Sequence, residues 1–209
     1  MKPYSFLSLG RTLSTLCALA LGSSLAPAAS VQVAVQTPNG QPVTQAVVYL
    51  ESAQAQRQVK PAPRLEMAQE GKRFVPEILV VPVGSDVYFP NRDTVRHHVY
   101  SFSAPKKFEL KLYSGTPAEP VRFEQPGVVV LGCNIHDQMV GWIVVLDTPY
   151  YGQTNATGQV QLNNLPAGQY RLRVWHPQLP LGANPSEQTI TLTATDSLAT
   201  TVQLKGLTP

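Results

Sequence analysis

Apolar residues recur along this chain at every second position, in short runs broken by turn residues. In "VQVAVQ" Val31, Val33 and Val35 alternate with small or polar neighbours, and "QVQL" repeats the pattern with Val160 and Leu162. A two-residue period marks a strand with one buried face. Pro38-Asn39-Gly40 then reads as a turn, so "VQVAVQTPNGQPVTQAVVYL" is expected to be a hairpin. "ATGQVQLNNLPAGQYRLRVWHP" reads the same way, with Tyr170, Leu172 and Val174 on the buried side of its second strand, and "EQTITLTATDSLATTVQLKG" supplies two more strands. Nowhere is an apolar 3.6-residue period sustained over three turns, so helix should be minor.

The middle of the chain has a different texture. Residues 51–64, "ESAQAQRQVKPAPR", carry polar and Pro residues without alternation and read as an exposed linker. In "FVPEILVVPVGSDVYFPNRDTVRHHVYSFS" two strands are joined at Val83-Gly84-Ser85, and the stretch ends in the paired histidines His97 and His98. Further on, "VVVLGCNIHDQMVGWIVVLD" sets two apolar strands around a seven-residue turn holding Cys133, His136 and Met139. Residues 65–147 therefore have their own strand set and are read as a domain of their own.

Composition places the chain in a compartment. Residues 1–28 begin with Lys2 and Arg11, pass through "LSTLCALALGSSL" and reach Ala26-Pro27-Ala28, the layout of a secretory signal peptide, so export to the periplasm is expected. That apolar core falls short of the ~20 residues of a membrane span, and no later segment is longer. Cleavage removes Cys17 and leaves Cys133 as the only cysteine. A single thiol in an oxidising compartment is an intermolecular partner, a reactive group or a metal ligand. Cleavage also removes two of the 16 basic residues, leaving 14 against 13 acids, a charge of +1 with no basic cluster. A nucleic-acid partner is excluded on that balance.

A thiolate, imidazoles and a weak axial thioether are the ligand set of a mononuclear copper electron-transfer site, which needs one further His. A curled loop of seven residues can bring Cys133, His136 and Met139 around one point. The missing imidazole should come from "NRDTVRHHVYSF". Neighbours on a strand face opposite sides, so His97 and His98 should not both reach the metal, and the residues alone do not choose between them. Zinc has little use for a thioether, and its structural sites favour paired cysteines. A binuclear copper centre would need a second Cys in the loop.

The spacing C-x2-H-x2-M in "CNIHDQM", the stretch "VGSDVYFPNRDTVRHHVYSF" and the later "FEQPGVVVLGC" together resemble the cupredoxins, with the loop spacing of amicyanin and kinship to plastocyanin-like proteins. The resemblance covers roughly residues 65–147. It implies a Greek-key β-sandwich holding one type 1 copper, with His97, Cys133 and His136 as equatorial ligands and Met139 as the axial one. It also implies that His98 gives its backbone N–H to the cysteine sulfur and that Asn91 supports the loop. Asp137 and Gln138 stand where amicyanin-like loops are apolar, which puts an inherited redox partner in question. The aliphatic approach to Cys133, Leu131 included, should keep the sulfur dry.

The flanks, residues 29–50 and 148–209, resemble a carboxypeptidase regulatory-like domain, a small Ig-like β-sandwich. The overall expectation is an all-β chain in which a cupredoxin is inserted in, or packed against, this second sandwich. Such flanking domains act as scaffolds or interaction modules. Multicopper oxidases and copper nitrite reductases have a similar loop but flank the cysteine with histidines. Here Gly132 and Asn134 flank it and the chain has four His in all. The expected function is thus a non-catalytic periplasmic carrier of single electrons between a redox donor and an acceptor. The alternatives are a copper-handling protein, or an exported β-sandwich binding or scaffold protein without an electron-transfer role. His176 is expected to be structural or superficial, and Trp142 and Trp175 to be core residues.

Overall fold

The computed structural model describes residues 28–208, so the signal peptide expected over 1–28 lies outside the described residues apart from Ala28. In chain order the strands begin with β1 (Ala29–Gln36) and β2 (Val47–Glu51), followed by one short helix, α1 (Ala53–Gln56). Then come β3 (Leu65–Glu66), β4 (Ala68–Glu70), β5 (Arg73–Val75), β6 (Ile78–Pro82), β7 (Ser85–Tyr88) and β8 (His97–Ser101). They are followed by β9 (Phe108–Tyr113), β10 (Val121–Phe123), β11 (Gly127–Gly132) and β12 (Val140–Leu146). The last are β13 (Tyr151–Gln153), β14 (Gln159–Leu165), β15 (Gly168–Trp175), β16 (Ser186–Leu192) and β17 (Ser197–Gln203).

Four sheets lie in layers. A three-stranded sheet, β14-β1-β17, faces a four-stranded one, β13-β2-β15-β16, across a core that includes Val31, Val33, Leu50, Tyr170 and Leu172. A five-stranded sheet, β6-β12-β11-β8-β9, faces β10-β7-β3 across a second core of Phe89, Val99, Phe123, Leu131 and Ile143. The two pairs meet through Val47, Tyr49 and Trp175 on one side and Ile78, Val144 and Leu146 on the other.

At the junction the strands of the two middle sheets are therefore apolar on both faces. In β2, Val48 and Leu50 point into the first core while Val47 and Tyr49 point to the junction, and the burial of β12 runs almost unbroken. Continuous apolar runs, rather than alternation, follow from that double burial.

The same fact corrects the two expected hairpins. β1 pairs with β14 and β17, whereas β2 pairs with β13 and β15; β14 and β15 likewise belong to opposite sheets. Each turn carries the chain across the sandwich instead of back along one sheet. A hairpin would leave β2 with a solvated face, and β2 has no polar face to offer.

The expected linker is not wholly exposed. Ala55 of α1 is buried, Ser52 caps the helix by accepting from the Ala55 N–H, and Gln56 donates to Asp147. Where the chain leaves and rejoins the four-stranded sheet, Thr148 Oγ1 donates to the Leu50 carbonyl at 2.6 Å and the Leu50 N–H to the Tyr150 carbonyl at 2.9 Å. At the other end of β2, His176 has both ring nitrogens engaged: Nε2 donates to the Thr44 carbonyl and Nδ1 accepts from the Gln178 N–H, each at 3.2 Å. Burial holds its imidazole below the ordinary range.

Candidate metal centre

β8 and β11 are neighbours in the five-stranded sheet, and they bring His97 and Cys133 to the same end of the second core. The two histidines fall on opposite sides of β8. His97, fully buried, shares the inward face with Val99, while His98 and Tyr100 lie on the outer face. Between His97 and Val99 the register with β9 slips by one residue, the extra residue lying on β9, and this sets Tyr113 opposite His97.

The turn after β11 curls as the spacing suggested. The Met139 N–H donates to the His136 carbonyl at 2.9 Å, closing the loop on itself. Cys133 Sγ then lies 3.8 Å from His97 Nδ1 and 3.8 Å from His136 Nδ1, and all three donor atoms fall within 4.8 Å of one another. Metal bonds of about 2.3 Å to sulfur and about 2.0 Å to nitrogen, opened to about 120°, separate the two atoms by about 3.7 Å. The donor set thus has both the chemistry and the spacing to hold one ion. Cys133 is 4% exposed and Met139 1%, packed together in the second core, while the His136 ring reaches the surface.

Two supports hold His97. Asn91, 7% exposed, donates through Nδ2 to the Val95 and Tyr113 carbonyls at 2.8 and 3.0 Å, and its Oδ1 accepts from the Asp93 N–H. These bonds fix the 91–96 loop that delivers His97. The second support is Asp93, whose Oδ2 lies 2.8 Å from His97 Nε2. A carboxylate there keeps the proton on Nε2 and leaves Nδ1 bare, the tautomer a metal needs.

Asp93 is itself clamped by the turn between β4 and β5, where Gly71 and Lys72 both have positive φ. Oδ1 accepts from the Gly71 N–H at 2.7 Å and Oδ2 from the Lys72 N–H at 2.9 Å. Burial opposes the ionised form, but the Lys72 amide, His97 and the Gly71 amide outweigh it and hold the carboxyl below its usual range. The sequence reading missed this residue. Its only signal was an acid four positions before His97, which gains meaning once a separate hairpin is folded beside it.

On the outer face His98 Nε2 lies 2.8 Å from Glu109 Oε1, and its Nδ1 is buried without a partner. Its ring neighbours Tyr100, which in turn neighbours Phe102, with centroids 5.7 and 5.3 Å apart. Tyr100 lies flat against Gly132: a Cβ there would fall 2.7 Å from Cζ of the ring. Any side chain at Gly132 would push the phenol off the strand that leads into Cys133. Inside, the Tyr113 hydroxyl donates to the Phe89 carbonyl at 2.8 Å, and burial pushes its phenol up.

Among the described residues no helix is long and apolar enough to cross a membrane. No protein-family model matches the chain, and no curated protein matches it. Among its neighbours in solved structures are cupredoxins and a copper-containing nitrite reductase, each similar over less than half of this chain. One is the purple cupredoxin of Nitrosopumilus maritimus, at 23% identity and a TM-score of 0.35, covering 41% of this chain and 100% of that one. Amicyanin of Paracoccus versutus is similar at 18% identity and a TM-score of 0.34, covering 47% and 97%. The copper-containing nitrite reductase of Thermus scotoductus is similar at 25% identity and a TM-score of 0.38, but this chain spans only 26% of that one's length, against 44% of its own.

Proposed function

We propose that the protein is an exported, periplasmic carrier of single electrons with one mononuclear type 1 copper site. His97, Cys133 and His136, with Met139 beside them, would hold the ion. The observation that carries this reading is the convergence of one thiol and two imidazole Nδ1 atoms within 4.8 Å in a buried pocket. When bound, the ion supplies a change between two oxidation states. The chain supplies a cage that need not rearrange: a loop closed by the Met139 bond, a ring anchored by Asp93, and a sulfur away from water. The half-buried edge of His136 is the site's opening to solvent, with Ile135 and Val140 exposed beside it, a surface on which a redox donor or acceptor can dock.

Residues 65–147 are, on this reading, a copper domain inserted through the linker 51–64 into a regulatory-like sandwich made of 29–50 and 148–209. The layering of two cores with one junction between them supports it. The role is electron carriage rather than catalysis, because the group that converges offers a place for one ion and none of its residues is left over as an acid or base.

Titrating the mature protein with Cu(II) while recording visible absorption and electron-spin resonance tests the proposal. One equivalent should produce an intense thiolate-to-copper band, absent in Cys133→Ser and His97→Ala and retained in His98→Ala. A colourless protein that binds no stoichiometric copper would move the weight to a scaffold. A colourless protein that binds copper tightly would favour copper handling.

A further inference from the structure

The second sandwich covers only part of the five-stranded sheet. The apolar junction takes Ile78 from β6 and Val144 and Leu146 from β12 but nothing from β8 or β9, whose outer face it leaves uncovered. His98, Tyr100 and Phe102 follow one another along that face, and Glu109 of β9 lies opposite Tyr100. A two-residue period places Lys107 and Lys111 on the side of Glu109, and both are exposed. Phe102 is 79% exposed, whereas every other described phenylalanine is buried or half-buried. At the far end, where β9 holds its extra residue, Leu112 is turned out as well, 46% exposed.

Charge on this ribbon is one-sided. From Thr94 to Ala118 the chain carries four bases, Arg96, Lys106, Lys107 and Lys111, against a single acid, Glu109. That excess of three stands in a mature chain whose total excess is one, so the remainder of the molecule is net acidic. It arises from a shortage of acids rather than a run of bases. Among the described residues none of the four bases is in an ion pair, and the acid is already engaged, 2.8 Å from His98 Nε2.

Apolar side chains exposed singly need no explanation. An exposed ring packed on a second ring, with uncommitted lysines on the neighbouring strand, is the make-up of an interface: an aromatic anchor within a polar rim. The sign of the rim then sets the sign of what meets it. A nucleic acid would ask for an unbroken cationic track, and Glu109 interrupts the row between Lys107 and Lys111. A folded protein with carboxylates around an apolar recess meets both the ring and the lysines.

We infer that the outer face of β8 and β9 docks an acidic protein, with Phe102 seated in an apolar recess of that partner and Lys107 and Lys111 against its carboxylates. Tyr100 packs on Gly132, so the partner lies against the strand that ends beside Cys133. The inference goes beyond the copper reading and does not depend on it.

The test uses the mature chain, with and without copper, and amide NMR shifts. The probe is a peptide with blocked ends and an apolar centre, Glu-Asp-Leu-Phe-Asp-Glu. Lys-Lys-Leu-Phe-Lys-Lys, oligothymidylate and vesicles of phosphatidylglycerol are the comparisons. The acidic peptide should bind saturably and move the signals of Tyr100, Phe102, Lys107 and Lys111, equally in both copper states. Binding should weaken as ionic strength rises to about 1 M, where screening acts over about 3 Å. Phe102→Ser should weaken it about tenfold, and so should Lys107→Glu/Lys111→Glu, which changes charge without touching the ring. Circular dichroism checks that each variant folds, and either variant carries the test if the other does not. No saturation, shifts confined to Ile135 and His136, equal binding of the basic peptide, tighter binding of the oligonucleotide or the vesicles, or indifference to both variants would each overturn the inference. Failure here leaves the copper titration untouched, and a protein that takes no copper can still bind the peptide.

Discussion

Replacing Asp93 by Asn removes one charge and almost no volume, so it isolates what the carboxylate does for His97. In the wild type three N–H groups converge on two oxygens: Gly71 on Oδ1, and Lys72 together with His97 Nε2 on Oδ2. An amide has a single oxygen. If that oxygen keeps the Oδ2 position, the NH2 group meets the Gly71 N–H donor to donor; if it takes the Oδ1 position, His97 loses its anchor and its preferred tautomer. Either way one bond to a charged acceptor is lost, worth about 1.5–3 kcal/mol. Supporting contacts to metal-bound histidines typically carry about 10–100-fold in metal affinity, or about 1.4–2.7 kcal/mol. We therefore expect Asp93→Asn to bind Cu(I) about tenfold more weakly in competition with a chromophoric chelator. The metal-free protein should unfold in urea with a midpoint lowered to match a loss of about 1–3 kcal/mol. Asp93→Ala should do worse on both counts. Unchanged affinity in both variants would refute the view that the carboxylate orients His97.

Further outcomes follow from other contacts. On the proposed copper reading Met139→Leu should keep copper and raise the reduction potential, since a thioether ligand would tune rather than hold the ion; loss of the metal in that variant would show that Met139 does more. Gly132→Ala should cost about 1–3 kcal/mol in denaturant unfolding, because its Cβ would sit 2.7 Å from Tyr100 Cζ, and most of that loss should be recovered in Gly132→Ala/Tyr100→Leu. His176 gives a pH signature: its folded pKa lies below the unfolded value of about 6.5, so the unfolded chain binds the proton first and stability falls as pH drops from about 6.5 through the folded pKa. That slope should be missing in His176→Gln.

Strand content was legible because β1 buries Val31, Val33 and Val35 and exposes what lies between, a pattern the residues display directly. Pairing was not. A turn such as Pro38-Asn39-Gly40 closes a hairpin or carries the chain to the facing sheet with the same residues, and the choice depends on whether β2 finds apolar surface on both its faces. For the candidate site, the approach of Cys133 to His136 was readable because two such residues three apart in one loop can meet without help from the rest of the chain. His97 needed the sheet, since only its side of β8 separates it from His98. Asp93 needed more still: its role depends on two amides from a turn twenty residues earlier, and no local pattern records such an encounter.

The bonds joining Thr148 and Tyr150 to Leu50 have a consequence for the order in which the chain becomes a protein. The first two strands leave the ribosome early, yet their partners β13, β14, β15 and β17 come after a detour of roughly 100 residues. Closing a flexible loop of that length costs about 4 kcal/mol, about 3 more than a tight turn. If residues 65–147 fold first, their own sheets draw the two ends of the detour together and remove most of that cost. The central segment would then act as a template for its host, and its destabilisation would be felt as aggregation of the outer strands, whose apolar faces wait uncovered in the meantime.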